Sequence, residues 1–123
     1  KGNSLGAIKV DLSGRLQDSF IIFENEVLPA SAAATHEKIN VSAYQFKTLL
    51  VSGTGTTTTK FQFSEDGVNW FDLVNSSGTL IQVNSNNAAV AFELTAFAKY
   101  IRIVVTNGSA DNNTVNAVLQ CAG

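Results

Sequence analysis

Few side chains in this sequence have the type and spacing to do chemistry, and each would need help the chain does not visibly supply. His36 is the single histidine and has Glu37 beside it. As a nucleophile's base or a metal ligand it needs further partners, so it reads as an exposed loop histidine. Glu65 and Asp66 offer two carboxylates, whereas Ca2+ takes about six to eight oxygens. Asp111-Asn112-Asn113 is a second oxygen cluster, and neither place has a third acidic contributor. Turn and loop chemistry explains both, and no metal site is expected. Cys121 is the single cysteine; with no base or cation beside it, it reads as a terminal-strand residue rather than a reactive thiol or an intermolecular bridge. Tyr44, Trp70, Phe71 and Tyr100 could form a platform for stacking sugars. Core packing is the alternative; alternation favours it for Phe71 and leaves the facing of Trp70 and Tyr100 open. No catalytic residue and no cofactor is assigned, so an enzyme is not expected.

The elements that must position these residues are strands. The stretch 48–73, TLLVSGTGTTTTKFQFSEDGVNWFDL, holds two alternating runs and the turn between them. Thr58, Lys60, Gln62 and Ser64 alternate with Thr59, Phe61 and Phe63, the period of two of a half-buried strand. Glu65-Asp66-Gly67 breaks the run with turn chemistry, Gly67 being suited to positive φ. Alternation then resumes, with Trp70, Asp72 and Val74 on one face and Phe71 and Leu73 on the other. This predicts a β-hairpin that buries Phe61, Phe63 and Phe71. Elsewhere FIIF (20–23) reads as a buried strand interrupted by Glu24-Asn25-Glu26, and ASAAA (30–34) as a loop or single turn after Pro29. Further strands are expected near 38–41, 45–52, 79–83, 89–94, 100–106 and 114–120, separated by Gly, Asn and Ser turns. The fold class is therefore all-β, an antiparallel sandwich of about eight strands, jelly-roll or Greek-key-like.

With 123 residues, 45% hydrophobic and 15% charged, the chain suits one domain with a real core. Its net charge of −2 and its lack of a Lys/Arg cluster in sequence argue against a nucleic-acid partner. No apolar run approaches the roughly 20 residues of a membrane helix, so no membrane partner is expected. Asn40, Asn75, Asn107 and Asn112 begin Asn-x-Ser/Thr matches, which chance supplies in a chain this rich in those residues.

Residues 1–19 read as an N-terminal arm and 20–123 as the sandwich domain. Ile8, Val10 and Leu12 share one face of a short alternating piece with no obvious hairpin partner. Its edge is free either to pair with another chain or to fold back on its own sheet. On the first option these three residues are partner-binding, and deleting residues 1–18 leaves a folded domain that assembles less well.

INVSAYQFKTLLVSGTGTTTTKFQFSEDGVNWFDL, followed by AFELTAFAKYIRIVVTNGSADNNTVNAVLQ, resembles a small β-sandwich domain of tailed-bacteriophage virion proteins. The matching positions are Val41, Ser42 and Tyr44; 51–54; Ser64, Asp66, Gly67, Asn69 and Trp70; 99–102; and Thr114-Val115. The resemblance covers roughly residues 20–120. It implies a head decoration (cement) protein or an accessory domain of tail or fibre proteins, with no catalytic residues to carry over. The expected partner is the major capsid protein or another virion protein, with the chain itself a homo-oligomer, a trimer being one form. The expected location is the capsid surface of the virion. The competing expectation is a carbohydrate-binding module of a phage fibre or tail protein or of a secreted enzyme, using Trp70 and Tyr100, with an extracellular location.

Overall fold

A computed structural model describes residues 9–10 and 16–123, with side chains from Gln17 onward. Within them the chain forms eleven strands and no helix. β1 (Lys9–Val10) and β2 (Leu16–Leu28) begin one sheet, and β3 (Ala33–Thr35) and β4 (Ile39–Asn40) begin the other. β5 (Phe46–Gly53) returns to the first sheet, while β6 (Thr56–Ser64), β7 (Phe71–Asp72) and β8 (Gln82–Asn86) lie in the second. β9 (Ala89–Leu94) belongs to the first, β10 (Tyr100–Asn107) to the second and β11 (Asn113–Ala122) to the first. The first sheet, here sheet A, runs β1-β2-β11-β5-β9. Sheet B runs β3-β10-β6-β7, with β4 also on β10 and β8 also on β6. Every pairing is antiparallel. The chain crosses repeatedly between the two layers, the Greek-key habit of an antiparallel sandwich. Seven strands have five residues or more, and the extra pieces beyond the expected eight are two or three residues long.

Alternation decides the core. Ile101, Ile103 and Val105 of β10, Val115 and Leu119 of β11, Leu49 of β5 and Phe61 of β6 are fully buried between the sheets. Burying each such side chain contributes about 1.5–3 kcal/mol. Thr59 shares their face, as its spacing from Phe61 requires, lying opposite Val105 and Val83. Its hydroxyl has no hydrogen-bond partner among the described residues. A buried hydroxyl left unpaired costs about 1–3 kcal/mol. Thr59→Val keeps the shape and removes the polar atom, so it should raise the urea midpoint by about 1 kcal/mol of stability; a lowered midpoint would mean the hydroxyl is paired.

The hairpin is present, with Phe63 opposite Phe71 and Gln62 opposite Asp72. The aromatic expectation needs correcting. Phe61 is fully buried and Phe63 half-buried, but Phe71 is 68% exposed. β7 is a two-residue strand at the rim of sheet B, so the inward face there is not covered by the opposing sheet. The turn behaves as read: Gly67 has φ +77°. A Cβ there would also lie 2.8 Å from the Lys38 Nζ. Gly67→Val should therefore cost about 1–2 kcal/mol and lower the melting temperature; an unchanged melt would place the strain elsewhere.

Two more segments differ from expectation. The 20–23 run belongs to a 13-residue strand that continues through Glu24-Asn25-Glu26. It does so by a register shift against β11, with Asn25 at φ 51° and its N–H donating to Asn116 Oδ1 at 2.8 Å. As a result Ile22 is buried and Ile21 is 62% exposed, so the run is not buried throughout. ASAAA is a turn only at its start, where Ala32 N donates to Pro29 O; the rest enters β3 on β10.

The arm boundary also moves. β2 begins at Leu16, and Gln17, Asp18 and Ser19 pair with Ala122, Cys121 and Gln120. Deleting residues 1–18 would thus cut into sheet A. Lys9 and Val10 pair with Gln17 and Leu16, the fold-back option at those two positions. Ile8 and Leu12 lie outside the described residues.

Candidate interaction surfaces

The outer face of sheet B carries two of the four sequence-nominated aromatics, Trp70 and Tyr100; Phe71 lies on the inward side at the rim and Tyr44 is buried. Antiparallel register sets Arg102 beside Gln62 and Gln62 beside Asp72. Arg102 Nε donates to Gln62 Oε1 at 2.7 Å, Gln62 Nε2 donates to Asp72 Oδ1 at 2.8 Å, and Lys60 Nζ lies 3.2 Å from the same oxygen. The Gln62 amide, followed by the Lys60 ammonium, holds the Asp72 carboxyl below its ordinary range. Trp70 is half-buried, with the Arg102 guanidinium 4.4 Å from its ring centroid. Tyr100 has Lys38 and Lys99 at 5.2 and 5.5 Å from its centroid. Both rings proposed for sugar stacking thus already hold cations. Trp70 and Phe71 line an open groove of about 410 Å3 with Glu65, Asp66 and Asn69, and Phe71 is its freely exposed ring. Tyr100 is not part of it.

Asp66 is spent on the turn. Its Oδ1 accepts from Ser64 Oγ, Val68 N and Asn69 N, and its Oδ2 from Asn69 Nδ2, all within 3.0 Å. The backbone N–H groups of Asn69 and Val68 hold its carboxyl well below the usual range. No cluster of three or more His, Cys, Asp or Glu side chains occurs among the described residues. His36 is half-buried against the Phe23 ring, with Nδ1 2.7 Å from the Glu37 carbonyl.

Sheet A presents a different outer face. Its registers line up Ile21, Val118, Leu50 and Ala91 as one row across four strands. Ile21 is 62% and Leu50 41% exposed, with Phe46 and Val27 also exposed on the same face. A shallow apolar groove of about 470 Å3 runs past Leu50, Val118, Ala89 and Ala91. The sequence reading missed this band, which shows only when outward positions of separate strands are set side by side.

Two buried polar clusters were likewise missed. Asn107, named as the start of an Asn-x-Ser match, and Asn113, named in the Asp111-Asn112-Asn113 oxygen cluster, are fully buried, so Asn107 cannot accept a glycan. Their amides tie together the loops at one end of the sandwich. At the other end Asp18, Cys121 and Lys47 form an inward row across β2, β11 and β5, all buried, and the Tyr44 hydroxyl donates to Asp18 Oδ2 at 3.2 Å.

Burial, helped by Asp18, pushes the Tyr44 phenol up to about 12 from 10.0. Burial pushes the Cys121 thiol up to about 11 from 9.0, against the opposing pull of Lys47. Both are acids kept neutral in the fold, so the unfolded chain gives up these protons first and stability falls as pH rises through 9–11 for Cys121 and 10–12 for Tyr44. Burial lowers the Lys47 pKa, so that amine acts in the opposite sense. Cys121→Ala should flatten the stability curve between pH 9 and 11 by about 2 kcal/mol, read as slope rather than absolute stability. An unchanged slope would show that the thiol does not titrate with folding.

These features define an antiparallel β-sandwich with one polar, cation-capped outer face and one apolar outer face. The chain matches no protein-family model and no curated protein sequence. Its fold is similar to that of the PBSX exported protein XepA, with a TM-score of 0.67 at 13% identity; the match covers 100% of this chain and 50% of that one. It is also similar to the SPBc2 prophage-derived protein YomS, with a TM-score of 0.55 at 16% identity over 91% of this chain and 99% of that one. This chain spans half the length of the XepA chain.

Proposed function

We propose that this chain is a non-enzymatic structural protein of a bacteriophage virion, a capsid decoration protein that seats on the shell through the outer face of sheet A. The observation that carries the reading is the Ile21–Val118–Leu50–Ala91 band, exposed apolar surface of the kind that marks a docking site. The sequence resemblance to phage virion sandwiches agrees with it, as does a fold neighbour described as prophage-derived. The other neighbour is described as exported, which fits a virion or extracellular location. Repeated shallow contacts on a lattice, with self-association multiplying them, need no deep pocket. Purified virions should contain the chain at a copy number comparable to capsomers. Ile21→Asp/Leu50→Asp, both at exposed positions, should abolish capsid pull-down while leaving the melt intact. Absence from virions, or undiminished capture of the double variant, would overturn the reading.

A second reading is favoured by one observation, the exposed Phe71 ring beside Glu65 and Asn69. It makes the chain a carbohydrate-binding module, with Phe71 rather than Trp70 or Tyr100 as the stacking ring. Oligosaccharide-induced NMR shifts around Phe71 that vanish in Phe71→Ala would support it, and a silent panel would remove it.

A further inference from the structure

β9 ends sheet A, and no strand or backbone group among the described residues pairs with its outer edge. It pairs with β5 over six residues without a register break, so it is a regular strand to its end. Its sequence, AVAFEL, has neither proline nor lysine, and no bulge twists it away. Natural proteins use such devices to keep an exposed edge from pairing. Glu93 is its one charge.

We propose that β9 is a self-recognition edge: two copies of this chain pair their β9 strands antiparallel about a two-fold axis through Ala91, joining two sheets A into one continuous sheet. The inference is independent of what the apolar face docks against.

The register follows from polarity. Residues facing each other across an antiparallel pair point to the same side, so a joint that keeps both outer faces together must match positions of equal parity. Centred on Ala91, the joint sets Ala91 against Ala91, Ala89 against Glu93 and Val90 against Phe92 of the second copy. The row Ile21–Val118–Leu50–Ala91 then runs straight on into the same row reversed, one apolar band across eight strands. Inside the sandwich, Val90 and Phe92, both half-buried, gain each other as neighbours. Each Glu93 faces a small Ala89 near Ser52, which is β5's partner to Ala89. The two Glu93 side chains lie four residues apart along the strand, about 13 Å, beyond the screening length of about 8 Å at physiological salt.

Other centres fail on the same grounds. A joint on Phe92 sets Ala91 against Glu93 and runs the apolar row into Thr48 and Gln120. A joint on Val90 runs it into Ser52 and Asn116. A joint on Glu93 opposes two carboxylates directly. Ala91 alone keeps like with like. One strand pair is a small contact beside the roughly 1,600 Å2 of a standard interface, so a weak, reversible dimer is expected.

Sedimentation of the full chain over a concentration series to several hundred micromolar should show a monomer–dimer equilibrium. Ala91→Arg, an exposed substitution opposing two guanidinium groups at the axis, should weaken it at least tenfold. The cross-linking pattern tests the register without depending on that variant's folding. Ala91→Cys alone should form a covalent dimer under mild oxidation or with a short bis-maleimide, while Ala89→Cys alone should not. An equimolar mixture of Ala89→Cys and Glu93→Cys should give the mixed dimer; native Cys121 is buried and does not interfere. A chain that stays monomeric throughout, a dimer indifferent to Ala91→Arg, or equal cross-linking of Ala89→Cys and Ala91→Cys would overturn the proposal. Capsid capture that fails while the dimer persists would reject the decoration reading and leave this one standing.

Discussion

Phe61→Ala should be the most damaging single truncation in the core, costing about 3–5 kcal/mol in a urea titration. Phe61 is fully buried at the centre of β6, between Ile103 of β10 and the facing sheet. Its ring stacks on Phe92 of β9 with centroids 5.5 Å apart and planes 16° from parallel, a direct contact between the two layers. Truncation leaves a ring-sized void that neither sheet can close, because both backbones are held by their ladders. Phe63→Ala should cost clearly less, since Phe63 keeps part of its surface in water. Phe92→Ala combined with Phe61→Ala should cost less than the sum, by about 0.5–1.5 kcal/mol, because each single change already loses the stack. A Phe61→Ala penalty no larger than that of Phe63→Ala would move the centre of the core elsewhere.

The ranking of these phenylalanines marks where the sequence stops being informative. Period-two alternation assigns Thr59, Phe61, Phe63 and Phe71 to a common inward side, and the registers agree. Which of them end up under cover depends on where each strand sits in its sheet, a long-range property absent from any local window. Phe61 is central and Phe71 lies on the rim, so one is fully buried and the other 68% exposed. The same limit hid the apolar band, whose members come from residues 21, 50, 91 and 118. The fold class was legible because most of the long strands, β5, β6, β9, β10 and β11, carry their own alternation. The apolar face was not, because it exists only in the pairing order.

Polar residues taught the opposite lesson. Lys47 lies two residues before Leu49 and four before Val51, so alternation already placed it inward, where it is 1% exposed. Asn113 stands in the same relation to Val115 and Ala117. Lysine and asparagine are by type mostly surface residues, whereas the period of two puts both of these inward. In each case the period won, since a strand cannot turn one side chain outward without breaking its ladder.

Asn113→Ala should accordingly destabilise by about 3 kcal/mol or more, far beyond a loop substitution, because this amide replaces a ladder where the two sheets part. Its Oδ1 accepts from Thr54 N at 2.8 Å and Gly55 N at 3.1 Å; its Nδ2 donates to Thr57 Oγ1 at 2.9 Å and Thr56 O at 3.1 Å. It lies 3.4 Å from Asn107 Oδ1, whose own Nδ2 donates to the carbonyls of Leu28, Pro29 and Asp111. The strand β11, the β5–β6 corner and the β2–β3 turn are thereby held by two side chains. Removing one leaves several part-buried backbone and hydroxyl groups without these partners, each costing about 1–3 kcal/mol where water does not replace the bond. The surrounding glycines fit this reading. A Cβ on Gly53 would come within 2.9 Å of Asn113 Oδ1, and one on Gly55 within 2.8 Å of Ser109 Oγ, so the corner is built without side chains to let the amide approach. Gly53→Ala should therefore reproduce much of the Asn113→Ala loss, and the double variant should cost less than the sum because both break one network. Hydrogen exchange should show Thr54 and Gly55 amides losing protection in either variant. If Asn113→Ala melts within a degree or two of the parent, water has taken over the bonds and the corner does not depend on this side chain.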